Sequence, residues 1–335
     1  MKDVKVRIAY AFLAFFYLLK SLQTPKLFYL SLPLIKTKHL NNPTTSTIDP
    51  VLRNWFLLIL LGLVWGSSYI LIKKGLVAFS PIQLASLRVS ISSIAFLPFF
   101  IYRFKTIDWS KTKYLLVVGF AGSFLPAFLF AFAQTEINSS MAGVLSSLTP
   151  LFTLVLGILF FKSPFILRKV IGVFLGLAGA IFLILFGADL NSTGNMSYGL
   201  LIILGCFFYA TSVNTVKSAL QEMNSLTLSA TAFTLIGIPG ILFLFFSGFF
   251  EVMQTHQEAW QALGAITLLA LFGTVMASIL FFRLVQLTTP VFASTVSYLI
   301  PIVSLFWGFA DGETITIFHF IGMALILFGV YITRK

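Results

Sequence analysis

Arg88 is the residue best placed to do chemistry. It ends the stretch FSPIQLASLR (residues 79–88), which is otherwise uncharged and leads into a long apolar run. A helix beginning at Pro81, rising 1.5 Å per residue, carries Arg88 about 10 Å below the membrane boundary. An ionisable side chain at that depth is costly and faces a cavity or a partner. Two roles fit: a guanidinium that grips a substrate carboxylate, or a charge that pairs internally or snorkels to the interface. Lys73 and Lys74 close the preceding segment, LGLVWGSSYILIKKGL. They could meet an anionic solute or Glu136 in an outer vestibule, or reach external water. Glu136, in AFAQTEINSS, is a proton carrier if it faces a cavity and a solvated loop carboxylate if it does not. No acidic residue sits mid-way along an apolar run, so proton antiport lacks a sequence basis; facilitated diffusion and exchange stay open.

Catalytic chemistry is not encoded in any recognisable pattern. The chain lacks GxxxxGK[ST], HExxH and GxSxG. His39, His256 and His319 share no metal-ligand spacing, and the lone Cys206 allows neither an intramolecular disulfide nor a CxxC site. No catalytic residue, metal or cofactor is therefore expected, and the chain reads as a non-enzyme. Its net charge of +12 raises nucleic acid as a partner, but no basic stripe or RNA-binding motif accompanies it. The partners expected are a small-molecule substrate and the lipid bilayer.

Hydrophobic residues make up 59% of the 335 and charged ones 10%, against about 45–50% and 25% in soluble proteins. The fold class is thus all-α integral membrane. Reading between charges and turn residues, with about 20 apolar residues per crossing, gives ten spans. The first half holds roughly 54–72, 81–102, 114–134, 139–161 and 168–187; the second holds roughly 197–216, 226–250, 260–282, 290–310 and 315–333. The loops alternate in charge. One set carries Arg103, Lys105, Lys111, Lys113, Lys162, Arg168, Lys169, Lys217, Arg283, Arg334 and Lys335. The other carries Glu136, Asp189, Glu251, Glu258, Asp311 and Glu313. Basic loops stay inside, which puts both termini in the cytoplasm.

The two halves repeat one another. Aligning Pro150 with Pro301 pairs Ala142 with Ala293, Ser146 with Ser297, Leu148 with Leu299, Leu154 with Leu305 and Gly157 with Gly308. After a one-residue gap, Gly172 meets Gly322 and Gly179 meets Gly329. An odd number of helices per repeat inverts the second relative to the first, the arrangement of many alternating-access transporters. The expected organisation is a first five-helix repeat over 54–187 and a second over 197–333. Residues 1–50 form an extension with an apolar run (8–19) too short to span, expected to take no part in transport and to be an interfacial helix or a mis-assigned start. Pro150 and Pro301 free backbone carbonyls and make kink or hinge points. Gly172, Gly176, Gly179, Gly322 and Gly329 allow close helix packing within one chain or between the protomers of a homodimer.

Trp65-Gly66-Ser67 in the first span, Pro81 then Arg88 in the second, and the paired Pro150/Gly157 and Pro301/Gly308 resemble the drug/metabolite transporter superfamily, in its ten-helix EamA-like family. The resemblance covers about residues 54–333. It implies export of metabolites or drugs through a central cavity lined by helices 1, 3, 4, 6, 8 and 9, and it places an Arg in helix 2 across many substrates, which favours an architectural role for Arg88. On those helices the hydrogen-bonding candidates are Trp65, Ser68, Tyr69, Gln134, Ser147, Tyr209, Asn214, Ser297 and Tyr298, with Arg88 beside them. The family's Gly-Glu pair after helices 4 and 9 survives as Gly312-Glu313 but is Phe161-Lys162 in the first half. These positions read as helix-end and orientation determinants. The expected function is export of a small organic metabolite, an amino acid or related solute, across the cell inner membrane. Multidrug or cationic-compound efflux is the alternative, and a non-transporting membrane subunit or sensor the distant one.

Overall fold

The computed structural model describes residues 49–137, 139–187, 196–310 and 317–334. The extension up to residue 48, Asp189, the Gly312-Glu313 pair and Lys335 lie outside the described residues. Within the described residues every regular element is helical. In chain order α1 is Pro50–Gly75, α2 Pro81–Arg103 and α3 Trp109–Ala133. α4 stacks Ser139–Leu145, a 3-10 turn Ser146–Leu148 and Thr149–Phe160. Next come α5 Leu167–Gly187, α6 Gly199–Ala219, α7 Ser225–Phe246 and α8 Ala259–Leu287. α9 joins Pro290–Ser294 to Val296–Ala310, and α10 is Ile317–Arg334. Among the described residues, α1, α2, α3, α6, α7 and α8 are long and apolar enough to cross a membrane, while α4 and α9 supply shorter apolar helices, Ser146–Phe160 and Pro290–Ser304.

Local chemistry sets the boundaries. α1 starts at Pro50, not 54, because Asp49 accepts a hydrogen bond from Val51 N at 2.9 Å and Pro50 fills the first helical position. Residue 50 therefore belongs to the helix and not to the extension. α2 opens with a capping box: Gln83 N donates to Ser80 Oγ, and Ser80 N donates to Gln83 Oε1 at 2.9 Å. α7 opens on Asn224, whose side chain accepts from Leu226 N and Thr227 N. α8 runs on to Leu287, so Arg283 lies on a helix and not in a loop. The extra turn is held by Lys217 Nζ, which donates to the carbonyls of Gln286 and Thr288. Gln286 Nε2 in turn donates to those of Leu220 and Met223.

Two helix pairs carry closely packed contacts. α2 lies along α7, with the Phe96 and Phe233 rings 5.2 Å apart and Gly237 directly beneath Ser93. α5 lies along α10 so closely that a Cβ on Gly329 would fall 2.6 Å from Gly176 N and 2.7 Å from Gly172 O. Gly172, Gly176 and Gly329 thus face each other within one chain. This backbone approach suits small residues, which give up no side-chain bulk at the contact.

α3 and α8 each contain a π-helical stretch, Phe120–Phe124 and Leu269–Met276. Such stretches interrupt the regular ladder and leave backbone groups for other partners. The carbonyl that Pro150 frees has a partner within the chain. Pro150 sits at the start of the helix Thr149–Phe160, and the Ser146 carbonyl one turn back accepts from Thr149 Oγ1 at 2.7 Å. Pro301 lies inside its helix, and the turn in α9 comes earlier, at Thr295, whose hydroxyl donates to the Phe292 carbonyl at 2.6 Å.

Candidate functional site

α8's π-helical stretch anchors two side chains from the first half of the chain. Trp65 Nε1 donates to the Gly273 carbonyl at 2.9 Å, and Arg88 Nε donates to Thr274 Oγ1 at 2.8 Å. Adjacent residues of α8 thereby hold an indole from α1 and a guanidinium from α2. Close approach is possible because Gly273 has no side chain: a Cβ there would lie 2.8 Å from Ser68 Oγ.

These residues border a central cavity of about 670 Å³ of atom-free space, its mouth included. α1 contributes Trp65, Ser68, Tyr69 and Ile72, α2 contributes Arg88, and α3 contributes Phe130. Ser146 and Thr149 of α4 face Tyr209 and Val213 of α6, and the far wall is Phe281 of α8 with Ser294, Val296, Ser297 and Ile300 of α9. Aromatic rings brace one another around it. Trp65 meets Phe281 edge-on at 4.9 Å, and Phe130 sits 6.1 Å from Tyr69 and 5.8 Å from Tyr209. The Arg88 guanidinium lies within reach of the Tyr209 hydroxyl. An apolar cluster that includes Tyr69, Phe130, Ile137, Ile202 and Ile300 packs toward the end of α3 and the start of α6.

Among the described residues Arg88 is the only charged one in this lining, and none of the acidic ones is part of it. Such a site can bind an oxyanion at the guanidinium, accept hydrogen bonds at hydroxyls and hold an apolar body against rings. Among the described residues no group of His, Cys, Asp or Glu could hold a metal ion.

Six of the ten side chains expected at the site meet here: Trp65, Ser68, Tyr69, Arg88, Tyr209 and Ser297. The other four lie elsewhere. Gln134 caps the end of α3, where its Oε1 is 3.5 Å from Ser139 Oγ. Ser147 is fully buried one position beyond the cavity-lining Ser146. Asn214 turns away and donates to the carbonyls of Thr153 and Ala210, both at 3.0 Å. Tyr298 is fully buried against α5, its hydroxyl donating to the Val173 carbonyl at 2.8 Å. Lys73, Lys74 and Glu136 are exposed at helix ends. The sequence reading missed Phe130, Thr149, Phe281 and Ser294, along with the supporting Thr274. A Gly-Thr pair in the middle of a long apolar span was the available signal for the last.

Known proteins support the same architecture. The profile of the EamA-like transporter family matches residues 53–185 and again 196–334. An uncharacterized transporter of Archaeoglobus fulgidus is 27% identical over 286 residues, covering 85% of this chain and 99% of its own. The inner membrane transporter YedA of Escherichia coli is 26% identical over 276 residues, 80% of this chain and 86% of its own. A probable amino-acid metabolite efflux pump of Salmonella typhimurium is 25% identical over 288 residues, 84% of this chain and 94% of its own. One crystal structure superposes with a TM-score of 0.62 at 18% identity, covering 84% of this chain and 95% of that one, a likeness of fold. With apolar helices long enough to cross a membrane, a cavity between them and a family profile met once in each half, the chain is a multi-pass membrane transporter and belongs to the EamA-like transporter family.

Proposed function

We propose that the protein exports a small organic metabolite, an amino acid or related solute, across the cell inner membrane by alternating access. In this reading ten transmembrane helices form two inverted five-helix repeats, with both termini cytoplasmic. The observation that carries the substrate reading is the cavity's single charge. Arg88 faces a space walled by rings and hydroxyls, with no carboxylate among the described residues of its lining. A guanidinium in a low-dielectric cavity attracts a carboxylate and repels a cation. The name of the Salmonella relative, an amino-acid metabolite efflux pump, agrees with this chemistry.

Matched contacts support the inverted repeat. Ser68 of α1 abuts Gly273 in the π-helical stretch of α8, and Ser212 of α6 abuts Gly122 in that of α3. Gly122 and Gly273 are as far apart in sequence as Pro150 and Pro301. α2 and α7 pack on each other, as do α5 and α10, as equivalent helices beside a pseudo-two-fold axis would. A motion that rocks one half against the other around Arg88 follows from that symmetry.

Efflux of cationic compounds is the second reading. Trp65, Tyr69, Phe130, Tyr209 and Phe281 favour it, since ring faces attract cations. Thermal unfolding of the purified protein in detergent, against a panel of amino acids, nucleobases and quaternary-ammonium dyes, separates the two. A ligand at 100 times its Kd stabilises the fold by about 2.7 kcal/mol. A saturable shift with an amino acid, abolished by Arg88→Gln, is the expected result. A shift with the dyes alone, unchanged in Arg88→Gln, overturns the metabolite reading.

A further inference from the structure

A second cavity opens between the end of α4, the start of α5, the end of α6 and the start of α9. It encloses about 870 Å³ of atom-free space, its mouth included. Three lysines line it, Lys162, Lys169 and Lys217, and among the described residues no acidic one does. Lys169 and Lys217 are close enough to repel one another. Lys217 is held in place by two carbonyls, at 3.2 Å and 2.8 Å, which leaves one of its three protons for another acceptor. Lys162 stands at φ 53, past the end of α4.

The floor of this cavity is as specific as its rim. Asn214 is 1% exposed, and its Nδ2 is committed to two carbonyls, which fixes which amide atom is the oxygen. Its Oδ1 is buried without a hydrogen-bond donor. Gly157 lies beneath: a Cβ there would be 3.1 Å from Asn214 Oδ1 and 3.2 Å from Ser163 Oγ. Ammonium groups around a lone buried acceptor suit a ligand that carries an oxyanion beside an N–H or O–H donor.

The two cavities are one helical turn apart. Thr149 and Ser294 line the central one, and Thr153 and Val291 on the same helices line this one. The apolar cluster described above packs toward the opposite end of α6. We infer that the three-lysine cavity is a loading site on the cytoplasmic side, which captures the oxyanion end of a solute carrying a neighbouring hydrogen-bond donor before it passes to Arg88. This rests on the export reading and gives it a substrate class. It also gives Lys162 a part beyond orientation, since a glutamate in that place would cut the charge of the three-lysine rim from three to one. An anionic lipid headgroup has the same chemistry, but a central cavity only one helical turn away favours a soluble solute.

The test uses the full chain and pyridoxal 5′-phosphate, an anionic aldehyde that labels lysines, with borohydride reduction and peptide mapping. Labelling of Lys162, Lys169 and Lys217 should saturate, proceed at least ten times faster than at Lys105, Lys111 and Lys113, and be suppressed by L-lactate, which has no amine to consume the aldehyde, or by inorganic phosphate. Lys162→Asn, which keeps the left-handed backbone, and Gly157→Ala, which fills the floor, should each weaken that protection about fivefold or more. Arg88→Gln should leave labelling unchanged, so loss of export in that variant bears on the central cavity alone. Uniform labelling across all six lysines, or no protection by either soluble probe, overturns the proposal. So does protection seen only in phosphatidylglycerol nanodiscs and not in phosphatidylcholine ones, which assigns the site to lipid.

Discussion

Replacing Thr274 by Val tests whether α8 positions the cavity's charge. The side chain is buried, 4% exposed, and valine keeps its shape while exchanging the hydroxyl that accepts from Arg88 Nε at 2.8 Å for a methyl. A hydrogen bond to a charged group contributes about 1.5–3 kcal/mol. Thr274 Oγ1 also reaches the Leu269 carbonyl, but at 3.4 Å that contact adds little. Stability in mixed micelles, read by titrating SDS into the purified protein, should fall by about 1.5–3 kcal/mol in Thr274→Val and stay near wild type in Thr274→Ser. The same loss should appear only once when Arg88→Met is combined with Thr274→Val. Additivity within about 0.5 kcal/mol, the behaviour of independent sites, would refute the coupling. A matching drop of about tenfold or more in affinity for a carboxylate ligand, rescued by serine, would mark Thr274 as a positioning residue and not merely a stabilising one.

Further outcomes follow from the same geometry. Trp65→Phe keeps a ring against Phe281 but removes the N–H that donates to the Gly273 carbonyl, so the protein should lose about 0.5–1.5 kcal/mol in the SDS titration. Gly329→Ala drives a Cβ into the backbone of Gly172 and Gly176 and should cost about 1–3 kcal/mol by the same assay. Gly264→Ala, where a Cβ would meet nothing within 4 Å, should instead stabilise by about 0.5–1 kcal/mol. Ser80→Ala removes half of the capping box that starts α2, a loss of about 1 kcal/mol that Ser80→Asp should largely avoid.

Helix positions were legible because a membrane crossing demands a long apolar run, and few other structures tolerate one. Helix ends were less so. Asp49-Pro50 and Ser80-Pro81-x-Gln83 are readable capping signals, yet the α1 boundary was drawn at a charge, Arg53, that the helix simply contains. The site was legible where helices are regular and blurred where they are not. Ser146 and Ser297 are repeat mates and both line the cavity; Ser147 and Tyr298 are also mates, and both turn away from it. Choosing Ser147 with Ser297 mixed the two faces, an error of about 100° on a helix that the 3-10 turn Ser146–Leu148 made hard to phase. The polar groups that the π-helical stretch offers to Trp65 and Arg88 are visible only once those distant partners are in place.

The uncompensated Arg88 also bears on energy supply. A fixed charge in a cavity experiences the electrical potential of whichever side the cavity opens to. On the alternating-access reading, an inside-negative membrane favours the empty, cationic cavity facing inward, by up to about 2.3 kcal/mol per 100 mV. A bound monoanion neutralises Arg88, and the loaded cavity then crosses without that bias. The membrane potential would therefore act on the return of the empty carrier, drawing it back to the cytoplasmic side, and would sustain net export of an anion without a proton-carrying carboxylate among the described residues of the cavity.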